Sequence, residues 1–177
     1  MSNNINIKPL KNELPCEFAD RQGIYYTQQV TIKHKKDNGQ FFTPIPIARL
    51  MASYCDIKKT TFRVLDPGCG TTILTCALIE HLVETQKNIE FIDLVAYETD
   101  PELIIFSQNT LIYLKKWLLE KGIKFQYLLH IHDFILDNSD AIKENYNGDK
   151  FDIIISNPPY FKLSKNDEKT IAAKELV

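Results

Sequence analysis

Several kinds of signal are missing from this sequence of 177 residues. No apolar run is long enough to span a bilayer. The opening stretch, MSNNINIKPLKNELP, lacks the apolar core of a signal peptide, so a cytoplasmic protein with no membrane partner is expected. Cys16, Cys55, Cys69 and Cys76 do not have the spacing of a metal knuckle, and the four histidines do not complete one. No metal is therefore expected. The cysteines read as reduced thiols, with Cys69 and Cys76 packed inside, and no partnered base is visible for a catalytic thiolate. There is no basic excess either. The formal net charge of -2 argues neither for nor against a polynucleotide partner. The local cluster KHKK, Lys33 to Lys36, reads as a solvated loop.

What is present suits one ordinary hydrophobic core: 44% apolar and 25% charged residues. Residues 1 to about 20 read as irregular. GIYYTQQVTIKH alternates weakly and reads as a short strand or extended arm. GQFFTPIPIARLMASYC then predicts a helix with Thr43 as N-cap, Pro44 in the first turn, and an apolar face at Ile47, Leu50 and Met51. Beyond it, strand and helix alternate. The predicted strands are 62–66, 92–98, 124–133 and 151–156. The predicted helices are 71–85 and about 100–120, the second stopped by Gly122. A helical stretch is also expected between 134 and 148, and a last helix over 166–177. This alternation predicts an α/β fold with a parallel sheet flanked by helices, built from right-handed βαβ units.

In such a sheet the ligand lies beyond the carboxyl ends of the strands. Asp66, Glu98, Asp133 and Asn157 each close one of the four predicted strands there. Turn residues are commonly Asp and Asn, yet four on one rim favour a binding cleft. LDPGCGTT joins the first strand to its helix. Gly68 and Gly70 allow a tight turn and close approach of a ligand, although a plain strand-to-helix turn accounts for them equally well. The loop is neither a Walker loop nor a complete dinucleotide fingerprint. Glu98 can accept ribose hydroxyls, or it can simply favour the start of the following helix. Asp133 can accept from an adenine amino group while Phe134 packs on the ring; alone, these two read as a strand-end acid and a core aromatic.

The stretch DIIISNPPYFK carries the sharpest signal. A rigid turn explains its two prolines but does not require Asn157 or Tyr160. A chemical reading uses all four residues. Pro158 and Pro159 restrict the residues before them and stiffen the backbone. The Asn157 side-chain oxygen and the Pro158 carbonyl can then converge on one –NH2 group and accept both of its hydrogens. Two fixed acceptors favour a more tetrahedral nitrogen and strengthen as charge develops on it. Tyr160 offers a flat face for the ring that bears the amine.

In this order, DPGCG, the acid Glu98, DF at 133–134 and NPPY at 157–160 resemble the S-adenosylmethionine-dependent amino-methyltransferases. GQFFTP, Gly39 to Pro44, is similar to the N-terminal motif of the gamma group of DNA adenine-N6 methyltransferases. That group includes type I modification subunits and fused restriction–modification enzymes, and NPPYFKLSKND is particularly similar to the fused type. The resemblance implies a Rossmann-like methyltransferase fold. It implies S-adenosylmethionine as cofactor, with Phe42, Thr43 and Pro44 closing over its methionine part and Asp66, Gly68 and Gly70 lining the same part. Glu98 would hold the ribose, and Asp133 with Phe134 the adenine. Asn157, Pro158 and Tyr160 would hold a target adenine flipped out of double-stranded DNA.

Three departures stand out. Thr71-Thr72 replaces the family's common Thr/Ser-Gly, so one glycine is missing. Thr99 stands where a larger apolar residue often packs on the cofactor. Finally, the family's sheet continues through further strands into a target-recognition domain, whereas Val177 follows soon after the catalytic loop. The resemblance thus implies a partial methyltransferase fold lacking the C-terminal strands: an arm over residues 1–38 and the N-terminal part of a catalytic domain over 39–177. It implies an exposed edge on the fourth strand, which invites self-association. Cofactor binding with little DNA methylation is expected of these 177 residues alone. The alternatives are amino-methyltransferases of protein glutamine or RNA, and a non-catalytic cofactor-binding module; GQFFTP separates the DNA enzymes from the others.

Overall fold

The computed structural model describes residues 7–37, 40–143, 150–158 and 168–174. The chain opens with three helices, α1 (Pro15–Gln29), α2 (Ile32–Asp37) and α3 (Ile45–Ser53). An alternating series follows: β1 (Thr61–Asp66), α4 (Ile73–Thr85), β2 (Phe91–Tyr97), α5 (Ile104–Leu119), β3 (Lys124–His130), α6 (Phe134–Lys143), β4 (Ile153–Ile154) and α7 (Glu168–Lys174).

The four strands form one parallel sheet in the order β3-β2-β1-β4. The expected fold class is therefore observed. Val64, Ile92 and Leu94 are sealed from solvent, which fits the near-continuous apolar strands of a covered parallel sheet. α5 buries Leu111, Leu114 and Leu118 at helical spacing. Its end is set by Gly122 at φ +77: the Gly122 N–H reaches the Leu119 carbonyl and the Ile123 N–H the Leu118 carbonyl. That pair of bonds is a Schellman closure. Two strands are shorter than predicted. β3 stops at His130, and β4 pairs with β1 only at Ile153 and Ile154. Among the described residues, no strand lies on the far side of β4.

The N-terminal segment corrects the sequence reading. GIYYTQQ is neither strand nor extended arm but the second half of α1. Its Ile-Tyr-Tyr-Thr run has strand propensity, but Cys16, Ala19, Gly23 and Tyr26 are buried at a helical stride, and tertiary packing wins. α1 packs on both α4 and α5, and Cys16 and Ala19 belong to the main core. Residues 15–29 are thus part of the domain body rather than an arm before residue 39. Glu80 on α4 is buried and accepts the Cys16 N–H at 2.6 Å, fixing the start of α1.

KHKK is likewise not a loop, since Lys33 to Lys36 lie on α2. α3 begins one residue later than predicted, with Pro44 as N-cap and no side-chain cap. The helix buries Ala48 and Ala52, while Ile47 and Leu50 face outward. Small residues allow α3 to lie close against α4; of the expected apolar face, Met51 packs on the core. Cys16, Cys69 and Cys76 are buried free thiols. Burial first, with nearby acids, pushes Cys16 up to about 12 and the other two well above the ordinary thiol range. These thiols are therefore not nucleophiles.

Candidate active site

The sheet order creates a switch point. From β1 the chain moves outward through β2 to β3, then returns to place β4 on the other side of β1. The loops beyond the carboxyl ends of β1 and β4 therefore diverge and leave a crevice. Asp66 ends β1 and Glu98 follows β2; Asp133 and Asn157 each lie three residues past β3 and β4.

Asp66 is fully buried. Its Oδ2 accepts the Thr75 hydroxyl at 2.7 Å, while Oδ1 meets no donor at hydrogen-bonding geometry. Burial pushes its carboxyl up to about 7, against the lowering effect of Thr75 and the Gly68 N–H. The glycine loop follows. A Cβ on Gly68 would meet nothing within 4 Å, so that face of the loop is open. Gly70 has φ +53, and its carbonyl accepts Ser107 Oγ at 2.5 Å. Thr72, at the position of the missing glycine, itself adopts the left-handed conformation, φ 67 and ψ 25. The turn survives the substitution at a cost of roughly 1–2 kcal/mol for a residue bearing Cβ. Thr72 is fully buried, its N–H reaches the Cys69 carbonyl at 2.7 Å, and its own carbonyl accepts Cys76 N–H at 2.9 Å.

Glu98 ties this loop to the end of β2. Oε2 accepts the Gly70 N–H at 3.1 Å; Oε1 accepts those of Thr99 at 2.8 Å and Asp100 at 2.9 Å. Burial raises the Glu98 carboxyl, with the three N–H bonds opposing it. A carboxylate offers about four lone-pair positions, so about one remains on Oε2. Thr99 beside it is exposed.

Asp133 Oδ1 accepts the N–H groups of Ile135 at 3.0 Å and Leu136 at 3.2 Å, so it caps α6. Phe134 stands edge-on to Tyr97, with ring centres 5.2 Å apart, bringing the Asp133-Phe134 pair beside the strand end that carries Glu98. On the other side, the Phe42 ring lies against two glycines. A Cβ on Gly23 would approach it to 3.5 Å, and one on Gly70 to 3.7 Å. Thr43 is buried and Pro44 exposed. Instead of capping α3, the Thr43 hydroxyl accepts Asn157 Nδ2 at 2.9 Å. Asn157 is half-buried and Pro158 exposed. Tyr160 lies outside the described residues.

The structure thus brings together Phe42, Thr43, Gly70, Glu98 and Asn157 from four separate segments. Sequence reasoning missed Asp100. It is 2% exposed, and its Oδ2 lies 2.5 Å from Tyr26 Oη and 2.8 Å from His34 Nε2, with Gln40 Nε2 also bonded. The local signal was an acid beside Glu98; its partners lie 60 to 74 residues away. A cavity of about 660 Å³ lies elsewhere, between residues 7–14 and α5, and none of the rim residues line it. Its walls carry no motif chemistry, so volume is a poorer guide here than the strand ends.

A parallel sheet with a glycine turn after β1, an acid after β2 and an Asn-Pro turn after β4 defines the Rossmann-like methyltransferase class. The same fold occurs in a Vibrio vulnificus YJ016 protein assigned as the modification subunit of a type I restriction enzyme. There the TM-score is 0.55 at 21% identity, covering 85% of this chain and 30% of that one. A Listeria monocytogenes protein assigned as a class I S-adenosylmethionine-dependent methyltransferase gives a TM-score of 0.52 at 18% identity, covering 86% and 42%.

The chain belongs to the N-6 DNA Methylase family, whose model matches residues 24–175. Its relatives include the type II methyltransferase M.BsuBI of Bacillus subtilis, 32% identical over 160 residues that cover 86% of this chain and 30% of the relative. M.AccI of Acinetobacter calcoaceticus is 28% identical over 148 residues, covering 82% and 22%. M.PstI of Providencia stuartii is 26% identical over 156 residues, covering 87% and 30%. The chain spans 22–30% of the length of these three relatives.

Proposed function

We propose that this chain supplies the cofactor pocket and the amine-holding loop of a DNA adenine-N6 methyltransferase of a restriction–modification system, using S-adenosylmethionine. One observation carries the reading. The Asn157–Thr43 bond joins two motifs 114 residues apart at the switch point, beside the glycine loop. The donor set also fits the cofactor. Glu98 Oε2 has acceptor capacity left over for a hydroxyl hydrogen, and the Gly68 face is open.

When bound, S-adenosylmethionine supplies an electrophilic methyl carbon. Glu98 would accept from its ribose, Asp133 and Phe134 would border the adenine, and Asp66, Gly68 and Gly70 would line the methionine part, with Phe42, Thr43 and Pro44 over it. Asn157 then works as follows. Its amide nitrogen donates to the Thr43 hydroxyl, which fixes the orientation of the amide and makes its oxygen the acceptor we assign to the target amine. With the Pro158 carbonyl it would accept hydrogen bonds from both N6 hydrogens of a flipped adenine, the base for which Tyr160 is the proposed stacking partner. These acceptors would aim the nitrogen lone pair and favour the charge that develops on it as the new N–C bond replaces the S–C bond; the demethylated thioether would be the leaving group, and the surplus proton would pass to solvent.

Two measurements test this. Calorimetric titration of the chain with S-adenosylmethionine should show saturable binding that the demethylated product competes away. In the full-length protein, tritiated methyl groups should pass to duplex DNA free of adenine methylation and be recovered as N6-methyladenine. Absence of cofactor binding, or label arriving on protein or RNA instead, would overturn the assignment.

A further inference from the structure

We infer that Asp100 is a positioning residue, the clasp that holds residues 40–43 against the glycine loop and so orients the Asn157 amide. The inference rests on the cofactor reading above. Asp100 serves two purposes with two oxygens. Oδ1 accepts the Glu102 N–H at 2.9 Å, which is all that the turn into α5 requires. Oδ2 collects three donors from the N-terminal segment: Tyr26 of α1, His34 of α2 and Gln40. A plain helix start does not need those three.

What the clasp holds is the wall of the site. Gln40 stands two residues before Phe42, whose ring lies on Gly23 and Gly70 and meets Tyr26 edge-on at 5.7 Å. The next residue, Thr43, takes the Asn157 amide. The Asp100 N–H in turn goes to Glu98, which also holds the Gly70 N–H. Hydrogen bonds therefore run from Glu98 through Asp100 to Gln40, the backbone carries on from Gln40 to Thr43, and Thr43 bonds Asn157. Asp100 reaches neither the cofactor pocket nor the amine directly, so it acts through other residues. Burial pushes its carboxyl up, but the hydrogen bonds from Tyr26, His34 and Gln40 outweigh that and hold it below the usual range, so the hub stays charged.

The test compares the wild-type chain with Gln40→Glu, Tyr26→Phe and Asp100→Asn. Gln40→Glu sets a second carboxylate against Asp100 in nearly the same shape. Gln40 is only half-buried, so this variant keeps the test informative even where Asp100→Asn fails to fold. The first readout is S-adenosylmethionine affinity by calorimetry. The second is the side-chain amide resonance pair of Asn157 in nitrogen–proton spectra, which a general loss of stability does not shift below the melting temperature. Gln40→Glu should bind about tenfold more weakly, the equivalent of one lost hydrogen bond to a charged group. Its Asn157 amide should move towards the free-amide position and exchange faster. Tyr26→Phe should fall between this variant and the wild type.

Affinity within about threefold of wild type, with an unmoved Asn157 amide, would overturn the clasp while leaving the cofactor site standing. A wild-type chain that fails to bind the cofactor would overturn the underlying reading, and the clasp with it.

Discussion

Replacing Glu98 by glutamine separates binding from scaffolding more cleanly than removing the side chain. Alanine would strip the acceptor from three backbone N–H groups at once. Glutamine keeps the shape but has one oxygen and one –NH2. If the oxygen faces Thr99 and Asp100, the amino end confronts the Gly70 N–H, and one donor loses its partner, at roughly 1–3 kcal/mol. Against this, Glu98 has a raised carboxyl pKa because burial penalises its charge, and glutamine is free of that penalty. The two effects oppose each other, so stability should fall by only about 1 kcal/mol, or roughly 2–4 °C in melting temperature for a chain of this size. Cofactor affinity has no such compensation. A ribose hydroxyl loses a charged acceptor, about 1.5–3 kcal/mol, and binding should weaken by roughly 10- to 150-fold. Calorimetry for affinity and scanning calorimetry for stability read the two separately. Affinity within about twofold of wild type would refute Glu98 as the ribose acid, whatever the melting point does.

Asn157→Ala in the full-length protein should lower single-turnover methyl transfer by about 10²–10³-fold, as for loss of one preorganised polar group, and leave S-adenosylmethionine affinity within about threefold. Equal losses in both would place Asn157 in the cofactor pocket instead. Stability should fall as pH rises from about 4 to about 7. Burial lifts Asp66 and Glu80 to about 7, so in that window the folded chain holds protons that the unfolded chain has lost. Urea titrations near both ends of the window should show the decline. Glu80→Gln, which keeps an acceptor for the Cys16 N–H, should flatten it, and an unchanged slope would count against burial as the cause. Gly122→Ala should cost about 1 kcal/mol. Its φ is +77 and a Cβ there meets nothing within 4 Å, so strain is the only native-state effect; a melting point unchanged by the substitution would contradict the assigned turn.

The rim was legible because two local rules coincide. Apolar runs at 62–66 and 92–98 mark strands, and the connecting helices force them parallel, so the residues that end them share one edge. Glycines at 68 and 70 and prolines at 158 and 159 then announce backbone geometry in their own chemistry. What stayed hidden is long-range. Nothing near Thr43 distinguishes a helix cap from a partner of Asn157, because the two bonds need the same hydroxyl and the deciding residue lies 114 positions away. The same holds for His34, read as part of a charge cluster, whose ring meets Asp100 across 66 positions. α1 was missed for a different reason. Apart from Phe18, its buried residues are small, polar or amphipathic, among them Cys16, Ala19, Gln22, Gly23 and Tyr26, so a hydrophobicity pattern barely registers their stride.

Charge supports the proposed division of the rim, with its acids toward the cofactor and its uncharged residues toward DNA. A phosphate backbone repels carboxylates, and a surface built for it carries Lys and Arg. Asp66 is fully buried and Glu98 half-buried, and both are bonded to the glycine loop or α4. Their potential acts inside the crevice, where a sulfonium and an ammonium would be welcome, and water screens it outside. Asn157 and Pro158 carry no charge. They could therefore meet a base drawn from a polyanion without opposing its phosphates, and a cationic methyl donor beside Asp66 and Glu98 would favour their charged forms against the burial that raises both.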